Sequence, residues 1–388
     1  MLTRVVVENF KSFKHRRVFD LHSSKYQILQ ETNVKDGILK GALIVGPNAT
    51  GKSTLIIAIK TLLDMLFRDN FTMKPFDSCL FCDKNNIHLE YHFKFNESEV
   101  IYFFETDKEG NIVTENLIIN KNNILERNGL SGRVSLNNKS IQIMDKLFSE
   151  KILLLRKCYF SDTFAGSDII NEMMSFLNHS VYVNANDHVS YSYDNISHIV
   201  EEVEQITINE INDTFRKLNI GFKISRQKEN HISKFVDEKG KSRGYTVKAE
   251  KPIIFFQRQD MDLNLPLYFE SLGNQTLVNI FPSIIYCCKQ NSLLLIDEFS
   301  SGFHNKLEEL IIKYFLLNSK ESQVIFTSHS TNLLNTKLLR PDQIYTVDFE
   351  PNEGSFIERF SDENPREAQN LEKMYLSGKF GSLPNYKL

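Results

Sequence analysis

Gly46-Pro47-Asn48-Ala49-Thr50-Gly51-Lys52-Ser53, followed by Thr54, decides how the rest of the 388-residue chain is read. The stretch 40–45 (Lys-Gly-Ala-Leu-Ile-Val) precedes it as a strand, and a run from Lys52 to Phe67 that is apolar on nearly every side follows as a buried helix. Strand, glycine-rich turn, Lys-Ser and helix form a phosphate-binding loop in its proper context. The glycines let the backbone wrap so that its N–H groups converge on phosphate oxygens at the helix N-terminus. Lys52 then supplies a point charge to the β- and γ-phosphates of a nucleotide, and Ser53 offers a hydroxyl to Mg²⁺. The bland alternative is a glycine turn that merely opens a helix. The flanking strand and helix argue against it.

Three stretches further along fit the same chemistry. Residues 293–296 are a Leu-Leu-Leu-Ile strand ending in Asp297 and Glu298, at the sheet edge where open α/β folds bind ligands. There Asp297 is expected to hold Mg²⁺ and Glu298 to act as general base toward water. Residues 324–326 form another apolar strand, leading through Thr327 and Ser328 to His329, whose neutral imidazole suits contact with a γ-phosphate. Glu270-Ser271-Leu272-Gly273 precedes an apolar helix and, read alone, is only a helix cap with a glycine turn.

The order of these four elements is that of ABC-type ATPases. The sequence resembles the RecF/SMC/OLD branch, and most of all the stand-alone AAA-type ATP-binding proteins of bacterial defence loci (the RloA, PtuA and AbiL groups). Residues 7–13 (Val-Glu-Asn-Phe-Lys-Ser-Phe) resemble the first-strand motif of that branch. Residues 339–345 resemble the segment after its histidine, and Tyr375, Gly378, Phe380, Gly381 and Pro384 resemble its C-terminal pattern. The resemblance implies that Ser271 and Gly273 face ATP held by a second protomer. Residues 301–304 would then run along the homodimer interface. The nucleotide-contacting set it implies is Gly46, Pro47, Asn48, Ala49, Thr50, Gly51, Lys52, Ser53 and Thr54, with Ser271 and Gly273. Lys52, Glu298 and His329 would be catalytic, and Ser53 and Asp297 would hold the metal. No glutamine stands between Gln30 and Gln142 to serve as the glutamine loop usual in such proteins.

The expected architecture is an α/β P-loop ATPase head of ABC type, a mixed sheet with helices on both faces. Residues 1–120 would form the first lobe, with antiparallel strands. Residues 121–265 would be an inserted helical lobe with a hairpin, and residues 266–388 would complete the head. Alternation across 88–105 predicts a hairpin, and a further strand pair is expected around 107–120, turning at Glu109-Gly110. From about 140 to 218 the pattern reads as helical, including a long helix with Ile196, Ile199, Val203, Ile206 and Phe215 near one face. A second hairpin across 221–249 carries Lys223, Arg226, Lys228, Lys234, Lys239, Lys241 and Arg243, which keeps nucleic acid open as a partner.

Composition is that of an ordinary globular chain, 41% hydrophobic and 24% charged, with a net charge of −3 that gives no global pull toward nucleic acid or membrane. No apolar run is long enough to span a bilayer, and the opening residues lack a signal-peptide pattern. Five irregularly placed cysteines fit a reducing cytoplasm better than a disulfide framework. Cys79-Leu80-Phe81-Cys82 lacks the second pair that a structural zinc site needs. His88 and His92 sit roughly 13 Å apart along a strand, too far to share an ion. The expected activity is a nucleotide-driven dimer switch in an anti-phage system. Only 59 residues follow His329, so the effector is expected on a separate chain. A RecF-like repair ATPase that binds DNA and an ATP-dependent scaffold are the alternatives.

Overall fold

The computed structural model describes residues 1–136, 139–144, 150–185, 189–193, 208–227, 230–236, 242–248, 253–258, 264–300, 302–381 and 383. The chain divides into two units, Met1–Asp194 with Tyr286–Leu388, and Asn195–Ile285.

The first unit is built on two sheets. One has seven strands in the order Val189–Ser192, Val181–Asn184, Leu293–Asp297, Gln323–Thr327, Gly41–Val45, Ile344–Glu350 and Gly354–Arg359. Its five central strands are parallel, and one antiparallel strand closes each edge. The other sheet has eight antiparallel strands, from Lys139–Met144 at one edge through Ile87–Phe95 and Leu2–Glu8 to Arg17–Asp20 at the other.

The helix Lys52–Phe67 shares one apolar core with both sheets: Leu55, Ile59 and Leu62 are buried with Ala42, Ile44, Leu295 and Ile325, and with Val5, Leu89 and Phe104. Strand parity explains the arrangement. Ala42 and Ile44 face this helix, whereas Gly41, of opposite parity, lies beside Leu316 of the helix Asn305–Asn318. Polar groups fasten the layers. Tyr91 Oη donates to the Ala58 carbonyl at 2.6 Å. Gln323 binds both the amide and the carbonyl of Leu2, at 2.7 and 2.9 Å. Lys40 Nζ donates to the Leu316 and Ser319 carbonyls, closing the last turn of the helix Asn305–Asn318.

The hairpin expected at 88–105 is Ile87–Phe95 paired with Ser98–Thr106, and every odd residue from 87 to 95 is buried. Around 107–120 there is one strand, Ile112–Ile119; Gly110 turns it onto Ser98–Thr106, and Asn122–Asn128 pairs on its other side. The helical reading from residue 140 onward is corrected. Lys139–Met144 and Val181–Asn184 are strands, with the helices Leu154–Phe160 and Asp168–Asn178 between them.

The boundaries of the insertion differ from the expected 121–265. Residues 121–194 belong to the first unit because their strands extend its two sheets, and residues 266–285 belong to the second. The second unit is also not mainly helical among its described residues. It holds a three-stranded sheet (Phe222–Gln227, Ile253–Arg258, Asn264–Pro266) and the hairpin Asn230–Val236 with Ser242–Lys248. The turn expected at 238–240 lies outside the described residues, as do Ile196, Ile199, Val203 and Ile206 of the expected long helix; residues 208–217 are helical. Phe215 packs edge-on against both Phe222 and Phe281, each at 5.1 Å between ring centres.

Candidate active site

Residues 46–51 leave the central strand Gly41–Val45 and enter the helix at Lys52. Two glycines make the bend feasible. A Cβ on Gly46 (φ 144°) would stand 2.3 Å from the Val347 carbonyl oxygen. One on Gly51 (φ 107°) would stand 2.5 Å from Ser355 Oγ and 2.6 Å from Ser12 Oγ. Ala49 adopts φ 63°, so a non-glycine residue also takes the left-handed region within the loop. Thr50 Oγ1 donates to the Pro47 carbonyl at 3.0 Å, and Ser355 Oγ donates to the Thr50 carbonyl at 2.6 Å, which pins the loop from both sides.

Lys52 turns back into the bowl of the loop, its ammonium donating to the Gly46 and Pro47 carbonyls at 2.9 and 2.6 Å. Burial lowers its pKa to about 8, against the opposing pull of Asp297 and Glu298. Ser53 Oγ donates to Asp297 Oδ1 at 3.0 Å, and Thr327 Oγ1 donates to the same oxygen at 2.6 Å. Thr327 Oγ1 also accepts the Glu298 amide at 2.8 Å. Three strand ends, carrying the loop, the acids and the histidine, thus meet at one carboxylate.

Glu298 has φ 58°, an uncommon conformation for a branched-free but long side chain that the Thr327 bond helps to hold. His329 is solvent-accessible; the protein around its ring and then the Lys52 ammonium hold its pKa below the usual value, against Asp297. Both influences favour the neutral imidazole. A cavity of about 220 Å³ lies between the loop (Gly46, Pro47, Asn48) and the segment Ser328–Thr331.

Lys52, Ser53, Asp297, Glu298 and His329 all belong to the first unit and come together there. Ser271 and Gly273 belong to the second unit. Ser271 Oγ accepts the Asn274 amide at 3.4 Å, and Gln275 Nε2 donates to the Glu270 carbonyl at 2.8 Å, so this turn does open the helix Leu272–Lys289. Ser271 and Leu272 are exposed. Of the expected interface loop, Ser301 lies outside the described residues, and so does Pro384 of the C-terminal pattern.

Ser12, Ser355 and Thr327 also border the site, and no motif in the sequence marks them singly. Thr327 was detectable as the polar residue ending an apolar strand. Ser12 and Ser355 reach the loop only through long-range pairing, the Ser355 amide donating to the Ser12 carbonyl at 2.8 Å.

Residues 172–335 match the family model described as AAA domain, putative AbiEii toxin, Type IV TA system. That span takes in the acidic and histidine strands. The structure of an SMC head bound to the C-winged helix domain of ScpA is similar at a TM-score of 0.51 and 14% identity, over 92% of this chain and 96% of that one. The SMC head domain from Thermotoga maritima aligns over 92% of this chain and 98% of that one, at 16% identity and a TM-score of 0.49. Among curated proteins none matches the sequence. The chain thus has the fold of an SMC head, an ABC-type P-loop fold, and within it residues 172–335 resemble the AAA-domain family model.

Proposed function

We propose that this chain binds Mg-ATP at the loop Gly46–Thr54 and hydrolyses it as a homodimer with two shared sites. The observation that carries the reading is the convergence of Ser53 and Thr327 on Asp297 Oδ1, beneath a loop whose lysine lies within it. A hydroxyl and a carboxylate side by side are a hard-oxygen donor pair, and they fit Mg²⁺. Bound there, the metal supplies positive charge to the phosphate oxygens, with Ser53 and Asp297 as its protein donors. The loop amides and Lys52 orient the phosphates. Glu298 accepts a proton from water, and His329 holds the water and terminal phosphate in line.

The composite-site part of the reading rests on the resemblance of residues 270–273 to the signature turn and on the exposure of Ser271 and Leu272. The biological role we favour is the ATPase component of a bacterial defence system, working in the cytoplasm and controlling an effector on another chain. The description of the matching family as a putative toxin of a toxin–antitoxin system supports that direction.

The test mixes two inactive variants. Lys52→Ala and Gly273→Asp should each be inactive alone. Their mixed dimer places both lesions on one site and leaves the other intact, so turnover should reappear. Full turnover by Gly273→Asp alone, in a sample shown to be monomeric, would remove the shared site.

A further inference from the structure

The loop that carries His329 is tied residue by residue. The His329 amide donates to Ser300 Oγ at 3.1 Å, Ser330 Oγ to Glu308 Oε1 at 2.9 Å, and Asn332 Nδ2 to the Asn305 carbonyl at 3.2 Å. Those three partners lie just after the acidic strand. The fourth bond goes elsewhere: Thr331 Oγ1 donates to Glu372 Oε1 at 2.6 Å, on the C-terminal helix Leu371–Leu376.

That helix is firmly seated. Leu371 and Tyr375 are buried, and Asn370 caps it by accepting the Lys373 amide at 2.9 Å. Phe360 stacks on both Tyr375 and Phe380, and the Phe380 carbonyl accepts Thr346 Oγ1 at 3.4 Å, from a strand of the central sheet. Independently of the Thr331 bond, Tyr375, Leu376 and Leu383 form the far wall of the cavity that Gly46–Asn48 and His329 line. The C-terminal segment therefore meets the candidate site twice, once by a hydrogen bond and once as a wall.

We propose that Glu372 is a positioning residue for hydrolysis, setting the place of His329 through Thr331. The inference rests on the reading of His329 as the residue that holds the terminal phosphate and water. Glu372 touches neither, and it acts by fixing the side of the histidine loop away from Ser300, Asn305 and Glu308. A carboxyl–hydroxyl bond of 2.6 Å on a partly buried helix is a stiff restraint, and small displacements of a catalytic group lower the rate steeply.

The experiment compares steady-state ATP turnover and thermal melting of the full chain in five variants. Thr331→Val keeps the shape and removes the hydroxyl. Glu372→Ala removes the acceptor, whereas Glu372→Gln retains an acceptor oxygen. Thr331→Val and Glu372→Ala should lower kcat by about tenfold or more with KM for ATP little changed, while Glu372→Gln stays near wild type. In a His329→Ala background, adding Glu372→Ala should cost nothing further, because the residue through which Glu372 acts is already gone. A merely structural role would instead give additive losses, lowered melting in step with the rate, or no rescue by glutamine, and each of these would overturn the inference. Should Glu372→Ala fail to fold, Thr331→Val decides alone. Loss of turnover in His329→Ala with wild-type kcat in Thr331→Val would overturn this inference and leave the proposed site intact. Wild-type kcat in His329→Ala would instead show that the reading of the histidine itself fails.

Discussion

At the scale of single residues, the phosphate loop separates binding chemistry from folding. Lys52 is buried, and its charge is opposed by desolvation until phosphates arrive. Lys52→Ala should therefore abolish ATP binding while leaving the melting temperature close to wild type, as isothermal titration and calorimetry on the same sample would show; a variant that still binds ATP at wild-type affinity would remove Lys52 from the site. Gly46 behaves differently. Its added Cβ would meet a backbone oxygen that cannot turn aside, at a φ that L-residues avoid. Gly46→Ala should lose both ATP binding and roughly 1–3 kcal/mol of stability, measured by denaturant unfolding. The places of Lys52, Ser53, Asp297, Glu298 and His329 were legible because each lies at a helix start or within two residues of the end of an apolar strand. Ser12, Ser355 and the Thr331–Glu372 pair were not, because their partners lie 41 or more positions away in sequence.

At the scale of elements, what could be read depended on how each strand is solvated. Ile87–Phe95 buries one face only, so its alternation is visible in the sequence. Val181–Asn184 is four residues long, mostly buried, and follows directly on the helix Asp168–Asn178, so no period marks it as a strand. Its partner is Leu293–Asp297, more than a hundred residues away, which is why the insertion was expected to start too early. The strand Ile344–Glu350 is introduced by a buried ion pair that no pattern announces. Arg340 Nε and Nη2 each donate to the Asp342 carboxylate at 2.8 Å, and that carboxylate also accepts the Ser24 amide and hydroxyl. Both side chains are fully buried. Burial alone would push the Asp342 carboxyl up, but Arg340 and Ser24 outweigh it and hold it below the usual range. Asp342→Asn leaves Arg340 uncompensated and should cost about 3–5 kcal/mol. Because the folded pKa is depressed, the stabilisation is present above about pH 4 and is lost as pH falls through the folded value. Urea unfolding across pH 3–7 should show a shallower acid slope in the variant than in wild type. Equal slopes and equal stability would contradict the assignment.

At the scale of the whole molecule, the candidate residues fall in two units. The first holds the loop, the acids and the histidine, and the second holds the signature-like turn. A parallel sheet explains why residues 46, 297 and 329 converge, since consecutive strand ends emerge on one edge. The turn Ser271–Gly273 has its function, on this account, only against another copy of the chain. That makes association with ATP the most direct test. Glu298→Gln preserves shape and removes the base, so ATP should bind and persist. Light scattering of this variant should give a mass of 45.1 kDa without nucleotide and twice that with Mg-ATP. Adding Gly273→Asp should return the mass to that of one chain while ATP remains bound. A Glu298→Gln protein that binds Mg-ATP fully and stays at the mass of one chain would contradict the account.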